Sequence, residues 1–460
     1  MPPFLLPQSP ITSFDQYLAT GYGGLGLQRA QALGPDATIE ELRRAGLRGR
    51  GGAGFPTARK WAGVRGQSGS RRYLVANGAE GEPGTFKDRA LLRANPYQLV
   101  EGVIIAGSTV GAEEAFICLK RSFEREIAAV TRAVQEFQGA GVCADCTITV
   151  VAGPEEYLFG EEKAMLEVIE GNAPMPRLLP PHEHGLFATA PQTGWQATSP
   201  REGGAGRFES NPTLVNNVET LSNVTHVLAR GADWFRTMGS EQSPGTLVCT
   251  VAGDVVAPDV GEVELGTPLR AVIDAVGSGV GAGRQIKAVF SGVSNAVVTA
   301  EDLDVALTYE GFAEIGSGMG AGGYIVYDDT ACMVEVARQF SRFLHVESCG
   351  QCPPCKEGSA EITHRLELLE SGQADQRHVE EMGGWLARVT DANRCYLGTE
   401  EQTVVSSILR AFPREFAEHL EGHGCPRPRS LPFPKIVDLV DGRAIYDPDQ
   451  HRKQPDWTYR

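Results

Sequence analysis

Residues 347–358 read Glu-Ser-Cys-Gly-Gln-Cys-Pro-Pro-Cys-Lys-Glu-Gly, and no other stretch narrows the possible folds as much. Cys349, Cys352 and Cys355 stand at a three-residue stride in a loop stiffened by two prolines and followed by a helical pattern. A loop of this kind is suited to wrapping a soft metal centre, because thiolates are the ligands that zinc and iron–sulfur clusters select. Structural zinc sites usually combine two separated Cys pairs, or a pair with histidines. An unbroken Cys-x-x-Cys-x-x-Cys with one remote Cys is the ferredoxin-like arrangement for a cubane cluster, so the spacing favours iron–sulfur and leaves zinc as the rival. The helix that follows aims its N-terminal amides at the loop, which suits an anionic thiolate cluster. The next cysteine, Cys395, could fold back as a fourth ligand, with Cys425 as a spare.

Composition bounds the rest. A chain of 460 residues with 42% apolar and 22% charged residues is an ordinary globular protein of two to four domains. Its net charge of -16 argues against nucleic acid or an anionic membrane as the main partner. No secretory signal is expected at the N-terminus, and the most apolar stretch, 99–112, is short and carries Glu101. Ten cysteines, three of them clustered, fit a reducing compartment, so a cytoplasmic location is expected.

The first forty residues form a proline- and glycine-rich lead-in ending in a short helix over 38–45. Gly49, Gly51 and Gly54 then spell G-x-G-x-x-G within Gly49-Arg50-Gly51-Gly52-Ala53-Gly54-Phe55, with Lys60 and Trp61 beyond. A helix precedes this motif where the dinucleotide fingerprint needs a strand. Backbone amides beside Arg48, Arg50, Arg59 and Lys60 nevertheless suit a phosphate. Residues 73–76 read as a buried strand running into Asn77, Glu80, Glu82, Lys87 and Asp88, and ligands sit in the crevice beyond a strand's carboxyl end. Strands at 115–119 and 147–151 alternate with helices, one carrying the stripe Phe123, Ile127, Val130, Val134 and Phe137, which predicts an α/β layer fold with a mostly parallel sheet. Cys143 and Cys146 form a lone pair and read as bystanders. The third strand delivers Tyr157, Gly160, Glu161 and Glu162 to the start of a helix.

Residues 174–212 read as a long loop ending at Asn216-Asn217 before a helix. Short strands at 247–251, 286–290 and 324–327 around one helix make a small α+β insert. Beyond Thr330, four apolar stripes predict a small helical bundle with the cysteine loop between its first two helices and Cys395 between its last two. Those loops can share one end.

These segments in this order resemble the flavin-bearing NADH-binding subunit of respiratory complex I and the related diaphorase subunits of NAD-reducing hydrogenases and formate dehydrogenases. The resemblance runs from about residue 38 to about residue 420. It implies a Rossmann-like FMN domain (38–242) after the lead-in (1–37), a β-grasp insert (243–330), an iron–sulfur four-helix bundle (331–435) and a tail (436–460). It further implies that Gly49 through Gly54 hold the FMN phosphate, with Phe55 and Lys60 beside the nucleotide. Asn77, Glu80, Tyr157, Gly160, Glu161, Asn216 and Asn217 match flavin or ribityl contacts, and Glu82 and Glu162 match acidic residues near NADH. Cys349, Cys352, Cys355 and Cys395 match the ligands of a 4Fe–4S cluster. The implied activity is hydride transfer from NADH to FMN, then single-electron transfer to the cluster. Implied partners are a thioredoxin-like 2Fe–2S subunit and a larger iron–sulfur subunit, with any membrane reached indirectly, at the cytoplasmic face of the inner membrane. Departures gather on the donor side: Ala79 stands where the family has aspartate, Lys163 where it has threonine, and Pro180-Pro181-His182-Glu183 where it has Pro-Pro-Phe-Pro. They raise the alternatives of NADPH, of another donor, or of electrons passed toward NAD in a divergent paralogue; a non-catalytic iron–sulfur scaffold is the rival of a different class, and intact Glu80, Glu82, Glu161, Glu162 and the glycine loop count against it.

Overall fold

The computed structural model describes residues 3–68, 71–142, 146–192, 209–422, 424–427 and 429–455. Two compact units emerge: one is made of residues 1–80, 88–155 and 159–246, the other of 81–87, 156–158 and 247–460.

The first unit is built on a four-stranded parallel sheet of β1 (Tyr73–Asn77), β2 (Glu114–Lys120), β3 (Thr147–Gly153) and β4 (Thr213–Asn217), in the order β3-β2-β1-β4. Strand β1 lies between β2 and β4, and its Tyr-Leu-Val-Ala run is buried on both faces, as a central parallel strand requires. Strand order reverses between β1 and β4, where Asn77 and Asn217 sit in register. The sequence pattern shows β1, β2 and β3 but hides β4, a short buried strand with no alternation.

Helix Pro96–Val110 is buried at every position except Ser108. Asn95 caps it by accepting from the Tyr97 and Gln98 amides, Pro96 begins it, and Gly111 ends it with a left-handed backbone. It packs on helix Val218–Arg230 so closely that a Cβ on Gly102 would lie 2.1 Å from the Leu221 carbonyl oxygen. Glu101, the one charge in this apolar stretch, accepts from Tyr17 Oη (2.6 Å), Gly24 N (2.7 Å) and Leu27 N (2.9 Å). The lead-in is thereby folded onto the unit as helices Phe14–Leu18, Leu25–Leu33 and Pro35–Ala45, more ordered than its Pro and Gly content predicts. Among the described residues no helix is long and apolar enough to cross a membrane.

The second unit holds a five-stranded mixed sheet in the order β6-β5-β9-β7-β8: β5 (Thr246–Gly253), β6 (Asp259–Glu264), β7 (Ile286–Ser291), β8 (Val298–Thr299) and β9 (Gly323–Asp328). Leu269, Val272 and Ile273 of helix Leu269–Gly277 share its core with Leu247, Val289 and Val326. Helices Met333–Glu347, Pro353–Glu370, Gln376–Leu386, Leu397–Ala411 and Pro413–Gly422 follow, one more than the four apolar stripes predict. A hairpin of β10 (Ile436–Val440) and β11 (Arg443–Tyr446) turns at Asp441-Gly442, both with positive φ, inside the segment expected to be a tail.

Glu101→Ala leaves two amides and a hydroxyl without their acceptor inside the first unit. It should cost about 3 kcal/mol or more, read as a fall in thermal midpoint, with Glu101→Gln losing less.

Candidate cofactor and cluster sites

In the first unit the glycine loop closes on itself before helix Thr57–Gly66 begins. Gly49 N donates to Phe55 O (2.9 Å), Thr57 N to Leu47 O (3.0 Å), and Arg48 Nε to Gly54 O (2.7 Å). Gly52 (φ 119°) and Gly54 (φ 60°) occupy backbone conformations that disfavour a side chain. A Cβ on Gly51 would crowd Asn217 Cβ at 3.2 Å. The Arg50 guanidinium turns inward, is almost fully buried, and donates to the Arg48, Pro244 and Thr246 carbonyls. Its charge anchors the loop, and the sequence pattern does not disclose that direction. Ala53 lies within the loop. Phe55 is exposed with Arg59 over its ring at 5.6 Å, and Lys60 Nζ donates to Glu162 Oε2 at 2.9 Å.

At the carboxyl ends of β1 and β4 the amides are held by other polar groups. Asn77 Nδ2 donates to Gly160 O (2.7 Å) and its Oδ1 accepts from Ala79 N (3.1 Å). Asn217 Oδ1 caps helix Val218–Arg230 through Glu219 N, and its Nδ2 donates to Asp88 Oδ2 at 2.8 Å. Asn216 Oδ1 accepts from the buried Trp61 Nε1 at 2.8 Å, a restraint that leaves Nδ2 available as a donor. Glu80 accepts from Asp88 N and Arg89 N at the start of helix Lys87–Ala94. Glu161 caps helix Glu162–Ile169 by accepting from Lys163 N and Ala164 N, both at 2.9 Å, and burial pushes its carboxyl up to about 7. Lys163 Nζ lies 4.0 Å from Glu161 Oε1. Ala79 is buried with Tyr73, Val75, Phe116 and Phe159, an apolar setting for the position where aspartate is usual. His182 is exposed beside Glu183. Cys146 is buried against Gly107, and Cys143 lies outside the described residues.

In the second unit Tyr157 Oη donates to Glu82 Oε2 (2.6 Å) and to Glu400 Oε2 (3.3 Å). Glu82 Oε1 also accepts from Val293 N at 2.7 Å. Burial raises the Tyr157 hydroxyl, with Glu400 and Glu82 adding to it, and burial likewise raises Glu82. Glu347 accepts from Tyr157 N (3.0 Å) and Lys453 Nζ (2.6 Å). Burial alone would raise its carboxyl, but Lys453 and Lys435 hold it below the usual value. Glu347, Glu400 and Lys453 join Tyr157 from positions that no spacing in the sequence connects to it.

Cys352 caps helix Pro353–Glu370, whose first turn carries Pro353, Pro354 and Cys355. Cys349, Cys352, Cys355 and Cys395 line one small cavity with Leu158, Ser348, Asn393, Arg394 and Leu397. The sulfurs already draw polar partners: Arg394 N donates to Cys352 Sγ (3.4 Å), Gln351 Nε2 lies 3.5 Å from Cys349 Sγ, and Ser348 Oγ is 3.6 Å from Cys355 Sγ. Four thiols around a cavity with leucines on its wall are a donor set that fits an iron–sulfur cluster.

Comparison with known proteins agrees. Residues 42–226 match the family model described as the Nuo51 FMN-binding domain, and residues 335–419 match the NADH-ubiquinone oxidoreductase-F iron-sulfur binding region. The chain is 37% identical to the F subunit of NADH-quinone oxidoreductase from Streptomyces coelicolor, over 87% of each chain. It is 32% identical to NADP-reducing hydrogenase subunit HndC of Solidesulfovibrio fructosivorans, over 90% of this chain and 82% of that one. A solved NAD+-reducing NiFe-hydrogenase in the H2-reduced state superposes with a TM-score of 0.75 at 30% identity, covering 92% of this chain; this chain spans 66% of that one, just under two thirds. The chain therefore belongs to the family of NADH-quinone oxidoreductase F subunits, the NADH-oxidising FMN and 4Fe–4S subunits of complex I and of related NAD-reducing hydrogenases.

Proposed function

We propose that this chain is the electron-entry subunit of a larger dehydrogenase, with FMN on the first unit's sheet and the 4Fe–4S cluster on Cys349, Cys352, Cys355 and Cys395. The observation that carries this reading is the convergence of those four cysteines on one cavity, although Cys395 is remote from the other three in sequence. When bound, FMN takes hydride from the nicotinamide and the cluster carries single electrons away. The chain's own residues bind and orient. The closed loop from Gly49 to Gly54 receives the phosphate on backbone amides, and its small residues keep the space above it open for the nicotinamide. Asn77, Gly160, Glu161, Asn216 and Asn217 line the carboxyl end of the sheet, where reversed strand order opens a crevice for a nucleotide. Glu80 holds the segment between β1 and the next helix. Glu162 is assigned to the nicotinamide nucleotide.

The strand order β3-β2-β1-β4 supports a Rossmann-like FMN domain over 38–242. The five-stranded sheet packed with helix Leu269–Gly277 and the further short helix Tyr309–Glu314, one more than the single helix expected, supports a β-grasp domain over 243–330, and the helices from Met333 support the iron–sulfur bundle over 331–435. A thioredoxin-like 2Fe–2S subunit and a larger iron–sulfur subunit are the proposed electron acceptors, in a complex I or a hydrogenase at the cytoplasmic face of the inner membrane. A second reading, NADPH as donor, draws on Lys163, whose ammonium sits beside Glu161 where the family has an uncharged threonine.

Anaerobically purified protein carrying FMN and cluster should have its flavin absorbance bleached by NADH. Bound flavin that dithionite reduces but neither NADH nor NADPH reduces would overturn the assignment. Cys395→Ser should lower bound iron roughly two-fold or more with flavin content unchanged. If Lys163 reads a phosphate on the donor, Lys163→Thr should raise KM for NADPH roughly ten-fold and leave that for NADH unchanged. Glu161 supplies a pH test. Its folded value of about 7 lies above the ordinary 4.5, so folding favours the neutral form. That contribution is complete below the ordinary value and disappears as pH rises through the folded one. Glu161→Gln mimics the neutral form, so its thermal midpoint in the flavin-free protein should gain on the wild type between about pH 5 and about pH 8, by up to about 3 kcal/mol of stability.

A further inference from the structure

A second group of metal-ligating side chains lies in the helical part of the second unit, at the far end of the helix that starts in the cysteine loop. Cys332, Glu370, His419 and Cys425 each bring one ligand atom to within 4.8 Å of all the others. Cys332 caps helix Met333–Glu347, Glu370 ends helix Pro353–Glu370, His419 lies in helix Pro413–Gly422, and Cys425 follows that helix. Cys355 and Glu370 lie at opposite ends of one helix, about 22 Å apart at 1.5 Å per residue. This group is therefore separate from the four-cysteine cavity.

We propose that these four residues bind a structural zinc ion. The histidine is prepared for it. His419 is 1% exposed, and its Nδ1 lies 2.6 Å from the Glu415 carbonyl oxygen. A carbonyl only accepts, so Nδ1 carries a hydrogen, and Nε2 is the ring nitrogen turned to the group; once it gives up any proton it offers its lone pair to a metal. His419 Nε2 lies 3.2 Å from Glu370 Oε1 and 3.4 Å from Cys332 Sγ, and Cys332 Sγ is 3.5 Å from Glu370 Oε1. As a neutral thiol Cys332 donates its S–H to Glu370 Oε1, while His419 Nε2 faces the same carboxylate oxygen and needs a proton or a cation beside it.

The spacing is compatible with a metal. Tetrahedral zinc with bonds of about 2.3 Å to sulfur and about 2.0–2.2 Å to nitrogen and oxygen holds a sulfur and a nitrogen or oxygen, or a nitrogen and an oxygen, about 3.4–3.6 Å apart and its two sulfurs about 3.8 Å apart. The observed edges, 3.2, 3.4 and 3.5 Å, are close to that. A proton on Nε2 would satisfy the histidine and the carboxylate, with the two thiols as further hydrogen-bond partners; a metal would instead use all four groups as ligands. Glu370 also sits at a helix C-terminus, where a carboxylate is disfavoured unless positive charge compensates it. On binding, both thiols lose their protons to solvent, and Zn–S bonds replace the S–H bonds without oxidation or reduction. The ion would tie together the ends of three helices, with Cys332 and His419 87 residues apart.

The test uses the full chain, purified anaerobically with flavin and iron–sulfur cluster in place. Metal analysis should find about one zinc per chain surviving dialysis against a chelator. The zinc K-edge spectrum, unaffected by iron, should fit two sulfurs at about 2.3 Å and two nitrogen or oxygen atoms at about 2.0–2.2 Å. The double variant His419→Gln, Cys425→Ser should hold roughly ten-fold less zinc with iron and flavin unchanged. Protein that contains no zinc and takes none up anaerobically would overturn the proposal, leaving a His419–Glu370 ion pair. A four-sulfur zinc shell would also overturn it, because the zinc would then occupy the Cys349 loop. Zinc retained by the double variant would do the same. The wild-type spectrum decides the matter even if the variant fails to fold. Flavin and iron, measured on the same sample, judge the electron-entry role separately.

Discussion

The parallel pairing of β1 with β4 is the constraint on which the first unit depends. Because β1 is hydrogen-bonded on both edges, to β2 and to β4, its carboxyl end cannot shift without breaking two ladders. The register places Asn77 beside Asn217, and both amides are held in turn, by Gly160 O on one side and by Asp88 and the Glu219 amide on the other. Glu80 then holds the start of the next helix. Polar groups are thus immobilised at a sheet end, an arrangement that can orient a ligand without reorganising.

The second unit solves a different problem, that of gathering thiols. Proline at the first two positions of helix Pro353–Glu370 fixes where the cysteine loop stops and the helix begins, with Cys352 as its cap. Glu347, at the other entrance to the loop, is locked by Lys453 and the Tyr157 amide. The same helix ends at Glu370 among Cys332, His419 and Cys425. One end presents four cysteines, a donor set for one-electron chemistry. The other mixes sulfur, nitrogen and oxygen, which suits a redox-inert ion.

Much of this was legible beforehand because it rests on local signals. The stride of Cys349, Cys352 and Cys355, the glycines from Gly49 to Gly54, and the apolar runs of β1, β2 and β3 each declare themselves within a dozen residues. The lead-in was not legible. Its helices are held by Tyr17 and the Gly24 and Leu27 amides reaching Glu101, a partner far along the chain whose charge looks only like a flaw in an apolar helix. Strand β4 was missed because a short strand buried on both faces has no alternation to read.

The sequence by itself determined the chemistry: which thiols and glycines exist, their stride, and the family they belong to. Spacing along the chain is a local property, and cluster loops and turns are local structures. Only the tertiary structure decided direction and company. It turned the Arg50 guanidinium inward onto carbonyls, gave Asn216 to Trp61, joined Tyr157 to Glu82 and Glu400, and gathered Cys332, Glu370, His419 and Cys425 from three separate segments. Side-chain direction follows from packing between segments distant in sequence, and no periodicity encodes which distant segments will meet.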